Sequence, residues 1–364
     1  MPRVIGIDPG TVSVDVCGLD AGRVFLDCSL RTAEALADPS VLVTILSDAH
    51  RESPVDIVAG PSGYGLPVVE ARRLTDDDIR LAYLAVDGEA GGIGGLRALL
   101  RELAQLPMPI VLTPGVVHLA SVPAYRKVNR VDMGTADKVC VAVLAVREHI
   151  ARRTCAATEA SFILLELGGA FTAALAIERG QIVDGAGGTS GPLGARAAGA
   201  LDGEVAFLAG SVTKRMLFSG GVASIAGTPD ADAETLAAPA TDRGRLAWEA
   251  YLENAVKAVL SLAVSAPRAR EVIVSGRFAR IASVRDELTR RLAAASAPPV
   301  HVLTGFATVA LQAAQGAALI ADGLAGGTCA ALVDALGLRQ ASGTVFDHLH
   351  VISPAAARMR IGNA

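Results

Sequence analysis

Aromatic side chains are scarce: Phe, Tyr and Trp make up 4% of the 364 residues, while hydrophobic residues as a whole reach 51%. The core must therefore be built mainly from Ala, Val and Leu, which suits helices packed closely on sheets. Cysteine is sparse too. Cys17, Cys28, Cys140, Cys155 and Cys329 form no Cys-x-x-Cys pair, and their odd number excludes a complete disulfide framework. The same scatter argues against a zinc or iron–sulfur centre. There is no long basic run, and the net charge is −4, so nucleic acid is not an expected partner. The most apolar runs, such as Val139–Val146, are too short to cross a bilayer. The opening Met1–Asp8 reads as a strand, not as the apolar core of a signal peptide. A reducing cytoplasm is the expected location, with no membrane partner. Charged residues at 19% against that apolar content exclude disorder as the dominant state. The length predicts about two domains.

A repeat organises what is present. Val4–Ile7 is an apolar run that ends in Asp8-Pro9-Gly10-Thr11. Val12, Val14 and Val16 then alternate with smaller or polar residues, Asp20-Ala21-Gly22 reads as a hairpin turn, and Arg23–Ser29 as the return strand. The pattern recurs at Phe162–Leu165, Glu166-Leu167-Gly168-Gly169, Ala173–Ile177, Glu178-Arg179-Gly180 and Gln181–Asp184. The registers agree: Asp8 to Gly22 is 14 positions, Glu166 to Gly180 is 14, and Gly10 lies 158 positions before Gly168. Two similar units half a chain apart predict duplicated α/β domains.

Between and after the repeats, Val55–Ala59 reads as a strand that runs into the loop Gly60–Pro67, and Ile110–Leu112 as another strand. Helices are predicted at Ala136–Arg153, Leu246–Val264, Val284–Ala295 and Ala307–Asp322, and strands at Glu271–Val274 and His301–Leu303. Gly227–Arg243 reads as an exposed loop. Everything after Gly323 reads as an irregular appendix with a hairpin near Ser342-Gly343.

The acid-then-glycine turns are the strongest candidates for chemistry. Glycine lets the backbone approach a ligand and present N–H groups to phosphate oxygens, and a carboxylate at a strand end can hold Mg²⁺ directly or through water. Gly60–Pro67 is a candidate acceptor loop, in which Gly63 allows a backbone cradle and Ser62 and Tyr64 supply hydroxyls. His348 and His350 alternate as on a strand, but no third metal ligand accompanies them.

Ile5-Gly6-Ile7-Asp8-Pro9-Gly10-Thr11 resembles the first phosphate motif of the acetate kinase, sugar kinase, heat-shock chaperone and actin (ASKHA) superfamily. Leu165-Glu166-Leu167-Gly168-Gly169-Ala170-Phe171-Thr172 resembles its second, and Ser275-Gly276-Arg277 its adenosine motif. Ala136–Arg153 and Ala307–Asp322 resemble its two interdomain connecting helices. Pro123-Ala124-Tyr125, Arg130 and Gly134-Thr135-Ala136-Asp137-Lys138 are similar to the Arg-rich segment and Gly-Thr turn of the acetate and butyrate kinases. Gly188-Thr189-Ser190-Gly191-Pro192-Leu193-Gly194 is similar to the loop after their second phosphate hairpin. More narrowly the chain resembles the DUF1464 family, suggested to be butyrate-kinase-like. Two departures stand out. Asp137 replaces a histidine of the acetate kinases, and the Gly60–Pro67 region has no counterpart of their substrate-side His and Arg.

The resemblance implies an α/β fold of two duplicated ribonuclease-H-like (actin-like ATPase) domains with an interdomain nucleotide cleft, over 1–152 and 153–322, followed by an appendix over 323–364 that packs back on the core. It implies an ATP-dependent, Mg²⁺-requiring kinase for a small molecule, such as a short carboxylate converted to an acyl phosphate. Asp8 is the expected metal ligand, and Asp8, Asp137, Arg130 and Arg196 are the expected catalytic residues. Gly10, Thr11, Glu166, Gly168, Gly169, Ser275, Gly276 and Arg277 are expected at the nucleotide, and Ser62, Gly63 and Tyr64 at the acceptor. A kinase for a hydroxyl compound and a nucleotide-switched ATPase or activator are the alternatives. A homodimer is left open.

Overall fold

Strand β1 (Arg3–Pro9) is buried along its middle and forms the centre of the first sheet. The computed structural model describes residues 1–84 and 93–362. The chain divides into two compact units, one made of Met1–Val131, Thr135–Ala157 and Gly305–Ala364, the other of Asp132–Gly134 and Thr158–Thr304.

In the first unit, β1 is joined by β2 (Ser13–Asp20), β3 (Arg23–Arg31), β4 (Ile57–Pro61), β5 (Val69–Glu70) and β6 (Ile110–Thr113), in the order β3-β2-β1-β4-β6-β5. The meander β1–β3 is antiparallel, β4 runs parallel to β1, and β6 runs parallel to β4. The helix Gln312–Leu324 lies on β1, β2 and β4, and the helix Ala136–Arg153 packs against it. The approach is close enough to require glycine. A Cβ on Gly6 would stand 2.1 Å from the Ala318 nitrogen and 2.2 Å from the Ala314 oxygen, and one on Gly316 would stand 1.8 Å from the Cys140 oxygen.

The second unit contains β7 (Phe162–Leu167), β8 (Thr172–Glu178), β9 (Gln181–Ala186), β10 (Val272–Ser275) and β11 (Val300–Val302), in the order β11-β10-β7-β8-β9. The scarce aromatics gather here. The helix Asp242–Ala263 buries Trp248 and Tyr251, whose rings stack 5.0 Å apart and meet Phe278 at 5.9 and 5.6 Å. With so few large side chains available, concentrating three of them under one sheet fills volume that Ala and Val cannot.

Five strands of the first sheet correspond to the five of the second, and β5 has no counterpart. Reading outward from β1 gives β2 and β3 on one side and parallel β4 and β6 on the other; from β7 it gives β8 and β9, then parallel β10 and β11. The finer detail repeats at the spacing seen in the sequence. The left-handed turn pairs are Ala21 and Gly22 (φ 49° and 79°) and Arg179 and Gly180 (φ 53° and 76°). The ladder shifts register at Gly18/Leu19 in one meander and at Ala176/Ile177 in the other, and 176 − 18 = 158. A bulge and a turn placed alike in unrelated hairpins would be coincidence twice over, so the α/β duplication stands as an observation.

Several sequence expectations change. The sequence reading ended the second domain at 322, whereas Gly305–Ala364 folds with the first unit. The helix expected from Ala307 begins at Gln312. Before it, Asp27 accepts the N–H groups of Thr308, Val309 and Ala310 at 2.7–3.2 Å, and Gln315 accepts those of Phe306 and Ala307, so these groups are satisfied by side chains without helix formation. The appendix is helical at Ala330–Ala335 and Pro354–Gly362, and no strand forms near Ser342-Gly343 among the described residues. There Asp347 takes the Thr344 N–H at 2.8 Å and closes a side-chain turn. The stretch 227–243 contains a short helix, Ala233–Ala237, that buries Ala233 and Leu236.

The two glycine contacts set a stability test. Gly6→Ala and Gly316→Ala each force a methyl into backbone atoms and should lower unfolding free energy by about 3 kcal/mol. Gly22→Ala, at φ 79° with nothing within 4 Å, should cost about 1 kcal/mol. Urea midpoints for the three variants read this directly; equal losses at all three would contradict the packing argument.

Candidate functional site

In the first unit the candidate residues gather at the carboxyl ends of β1, β4 and β6, where open α/β sheets bind ligands. Asp8 is 8% exposed near the end of β1. The turn after it is fixed by the Gly10 N–H on the Asp8 carbonyl (3.0 Å) and by the Thr32 hydroxyl on the Gly10 carbonyl (2.7 Å). Thr11 at its tip is exposed.

Ser62 is fully buried, and its hydroxyl donates to the Thr113 carbonyl (2.8 Å) and accepts the Leu66 N–H (2.9 Å). It therefore ties the loop after β4 to the end of β6, a different role from the substrate contact expected of it. Gly63 stands at φ 66°, with the Ala82 oxygen 2.6 Å from where a Cβ would be. Its carbonyl accepts the Ala136 N–H (2.9 Å), which joins the loop to the start of the helix Ala136–Arg153. Tyr64 is half-buried, and its N–H donates to the Ala82 carbonyl (2.8 Å).

Asp137 lies in the first turn of that helix, where the helix dipole favours an anion. Its carboxylate accepts the Thr135 hydroxyl and, at 2.7 Å, the Lys138 ammonium. Burial works to raise its pKa, but the Lys138 charge and the hydrogen bonds from Lys138 and Thr135 outweigh this and hold it below the usual carboxylate range. Cys140, one turn on, links the elements: its sulfur is 3.6 Å from the Thr113 hydroxyl, and burial, together with the carboxylates of Asp8 and Asp137, holds its thiol well above the usual range. Asp8, Asp137, Ser62 and Gly63 thus surround one strand-end region.

Arg130 is half-buried. The residue before it, Asn129, is held by the appendix: its Oδ1 accepts the N–H groups of His350 (2.7 Å) and Val351 (3.1 Å), and its own N–H donates to the His348 carbonyl (2.9 Å). The backbone of the Asp347–His350 segment therefore braces the Arg130 segment.

Two residues that sequence reasoning passed over belong here. Asp15 faces Asp8 directly across the β1–β2 ladder, so both side chains leave the same face of the sheet. It is 1% exposed, its Oδ2 accepts the Ser13 hydroxyl (2.8 Å), and its Oδ1 has no hydrogen-bond partner among the described residues. Only its alternation with Val14 and Val16 could have pointed to it. His118 is 2% exposed with no hydrogen bond at either ring nitrogen among the described residues, and its Nδ1 is 2.9 Å from where a Cβ on Gly65 would stand. Burial pushes its imidazole down to about 4, so it is neutral at physiological pH beside the candidate acceptor loop.

In the second unit Glu166, half-buried, lies one residue before the end of the otherwise buried β7 and is paired in register with Ser275 on β10. The Ser275 hydroxyl is buried without a hydrogen-bond partner among the described residues. Gly276, at φ 90°, brings β10 against the first turn: a Cβ there would stand 2.4 Å from the Leu167 oxygen and 3.0 Å from the Gly168 nitrogen. Gly168 closes its own turn on the Phe171 carbonyl (3.0 Å), Gly169 is half-buried beside it, and Arg277 is exposed. Glu166, Gly168, Gly169, Ser275 and Gly276 are therefore neighbours. Arg196 is not available in the same way, because its guanidinium donates to the carbonyls of Pro229 and Ala231, bracing the loop after the meander. Asp132 pins the other part of that loop by accepting the N–H and hydroxyl of Thr189, each at 2.9 Å.

Residues 6–351 match the family described as "Protein of unknown function (DUF1464)". The chain belongs to the DUF1464 family. This DUF1464 protein resembles a propionate kinase from Francisella tularensis at TM-score 0.64 and 15% identity, over 87% of this chain and 99% of that one. It resembles an acetate kinase from Entamoeba histolytica at TM-score 0.57 and 10% identity, over 80% and 87%. It also resembles the acetate kinase of Porphyromonas gingivalis at TM-score 0.55 and 15% identity, over 79% and 86%. No curated protein matches the sequence. At these identities the likeness is one of fold, the two-domain kinase-like fold of the ASKHA superfamily. Among the described residues no helix is long and apolar enough to cross a membrane.

The Asp137–Lys138 pair sets a pH test. A carboxylate with a depressed folded pKa adds stability that is present above its unfolded value of about 3.9 and is lost as pH falls through the folded pKa. Asp137→Asn should therefore lower stability at neutral pH and flatten its decline between pH 5 and 2. Parallel urea-midpoint profiles for the two proteins would show that the pair contributes nothing.

Proposed function

We propose that this protein is an ATP- and Mg²⁺-dependent kinase for a small molecule, with a short carboxylate as acceptor and an acyl phosphate as product. The observation that carries the reading is the duplicated acid–glycine turn: Asp8-Pro9-Gly10-Thr11 and Glu166-Leu167-Gly168-Gly169 occupy equivalent strand ends at the same offset. Backbone N–H groups at Thr11 and Gly169 would hold phosphate oxygens, while Gly10 and Gly168, whose N–H groups close their own turns, let the backbone approach; Ser275, Gly276 and the exposed Arg277 would border the adenosine.

The donor set at β1 fits a hard divalent cation, because a buried carboxylate oxygen without a partner favours one. Asp8 would hold Mg²⁺, whose contribution when bound is to neutralise phosphate charge. Asp137 then orients the acceptor. Gly63 and Tyr64, held in place by Ser62, form the acceptor loop, with neutral His118 as a hydrogen-bond donor. Arg130 meets the charge on the group in transfer; Arg196, committed to its loop carbonyls, ranks behind it.

One observation favours a carboxylate over a hydroxyl acceptor. A hydroxyl must lose a proton to a base, and Asp137, paired to Lys138 with its pKa lowered, is a weak one. A carboxylate needs no base. It does need cationic help, because two anions must meet.

A screen of short carboxylates and hydroxyl compounds following ADP release, with hydroxylamine trapping of acyl phosphates, tests the assignment. Asp8→Asn should lower turnover by about 10² or more with the fold intact. Arg130→Ala should reduce turnover far more than ATP affinity measured by calorimetry. ADP release with hydroxyl compounds alone would reject the carboxylate. Absence of ATP binding at millimolar nucleotide with Mg²⁺ would reject the kinase altogether.

A further inference from the structure

We propose that Asp15 is a second protein ligand, together with Asp8, of the divalent cation that accompanies the nucleotide. The two carboxylates oppose each other across the β1–β2 ladder and leave the sheet on one face. Directly opposite residues have Cβ atoms about 4.5–5.5 Å apart, and like charges in that position are destabilising. Both are buried, Asp15 at 1% and Asp8 at 8% exposure. The Ser13 hydroxyl occupies the Asp15 Oδ2 and leaves Oδ1 without a partner. A Cβ on Gly10 would stand 3.8 Å from the Asp8 Oδ2, so that carboxylate lies close under the turn.

The duplication supplies an internal control. Position 15 + 158 = 173 is an alanine, and Ala173 pairs with Glu166 just as Asp15 pairs with Asp8. The meander therefore folds without a carboxylate opposite its acid. Packing does not require Asp15, and a buried ionisable group that packing does not require points to a ligand.

Among the described residues no group of three or more metal-binding side chains gathers. Two carboxylates are nevertheless enough for a Mg²⁺-class ion, which keeps several waters or takes phosphate oxygens for the rest. The inference rests on the nucleotide reading only for the phosphate oxygens; the carboxylate pair stands without it.

The test is Mn²⁺ binding to the full chain, followed by electron paramagnetic resonance with and without ADP. The wild type should bind one Mn²⁺ at this pair, and Asp15→Asn and Asp8→Asn should each weaken it about tenfold or more. In metal-free buffer Asp15→Asn should melt higher than the wild type, since it removes one of two facing charges, while Mn²⁺ should raise the melting temperature of the wild type but hardly that of the variant. Should the variant not fold, the wild type still answers: with two protein ligands in an octahedral ion, about four exchangeable waters remain in the absence of nucleotide. Unchanged Mn²⁺ affinity in Asp15→Asn, or a count of about five waters, overturns the proposal and leaves the kinase reading intact. A wild type that binds Mn²⁺ tightly but no ADP sustains the carboxylate site and overturns the kinase reading.

Discussion

The close approach of three backbones governs the first unit. Gly6 allows β1 to lie on the helix Gln312–Leu324 at Ala314 and Ala318, and Gly316 allows that helix to lie on the carbonyl of Cys140. With no side chain between them, the end of β1 and the start of the helix Ala136–Arg153 are set relative to one another by main-chain packing, which tolerates little change. Asp8 lies two residues beyond Gly6 and Asp137 three before Cys140. Their common influence on the Cys140 thiol follows from those contacts. A pair of carboxylates placed this way is held by the core and not by the loops that carry it.

The duplicated units share strand order, hairpin turns and the ladder shift, yet differ where ligands would be met. The first unit sets a carboxylate opposite its acid and the second an alanine. The first closes its strand ends with Ser62 on Thr113; the second leaves the Ser275 hydroxyl unpartnered beside Glu166. Conserving the frame while changing these few side chains gives the two strand ends different chemistry: two facing carboxylates in one, and in the other glycines beside a hydroxyl with no hydrogen-bond partner among the described residues.

The meanders, their glycines and the 158-residue offset were legible because they depend on local chemistry: alternation, left-handed turn positions and chain reversal. The strands β4, β6, β10 and β11 were legible for the same reason. The start of the helix at Gln312 was not, because Asp27, distant in sequence, takes the N–H groups of Thr308 to Ala310. Nor was the role of Asp347–His350: histidines alternating as on a strand, with no third metal ligand, read as surface or packing residues, while the structure uses their backbone to hold Asn129. Hydrogen-bond partners far away in sequence also separate Arg196 and Ser62, which brace loops, from Asp15 and His118, which keep buried atoms without a hydrogen-bond partner among the described residues. Sequence patterns identify residue types suited to chemistry. Only the fold shows which of those groups are already engaged.

That distinction bears on which acceptor suits the site. Of the groups at the first unit's strand ends, Asp137 is ionised and paired, His118 is neutral, and Asp8 and Asp15 face one another. Asp137, with its pKa lowered by Lys138, is a poor general base for a neutral hydroxyl. What the first unit offers there is two facing carboxylates and a half-buried arginine whose segment the appendix braces. Such groups stabilise charge already present on the reactants and draw little on proton transfer. Under the function proposed above, an acceptor that arrives as an anion, and reacts without losing a proton, would make the fullest use of them.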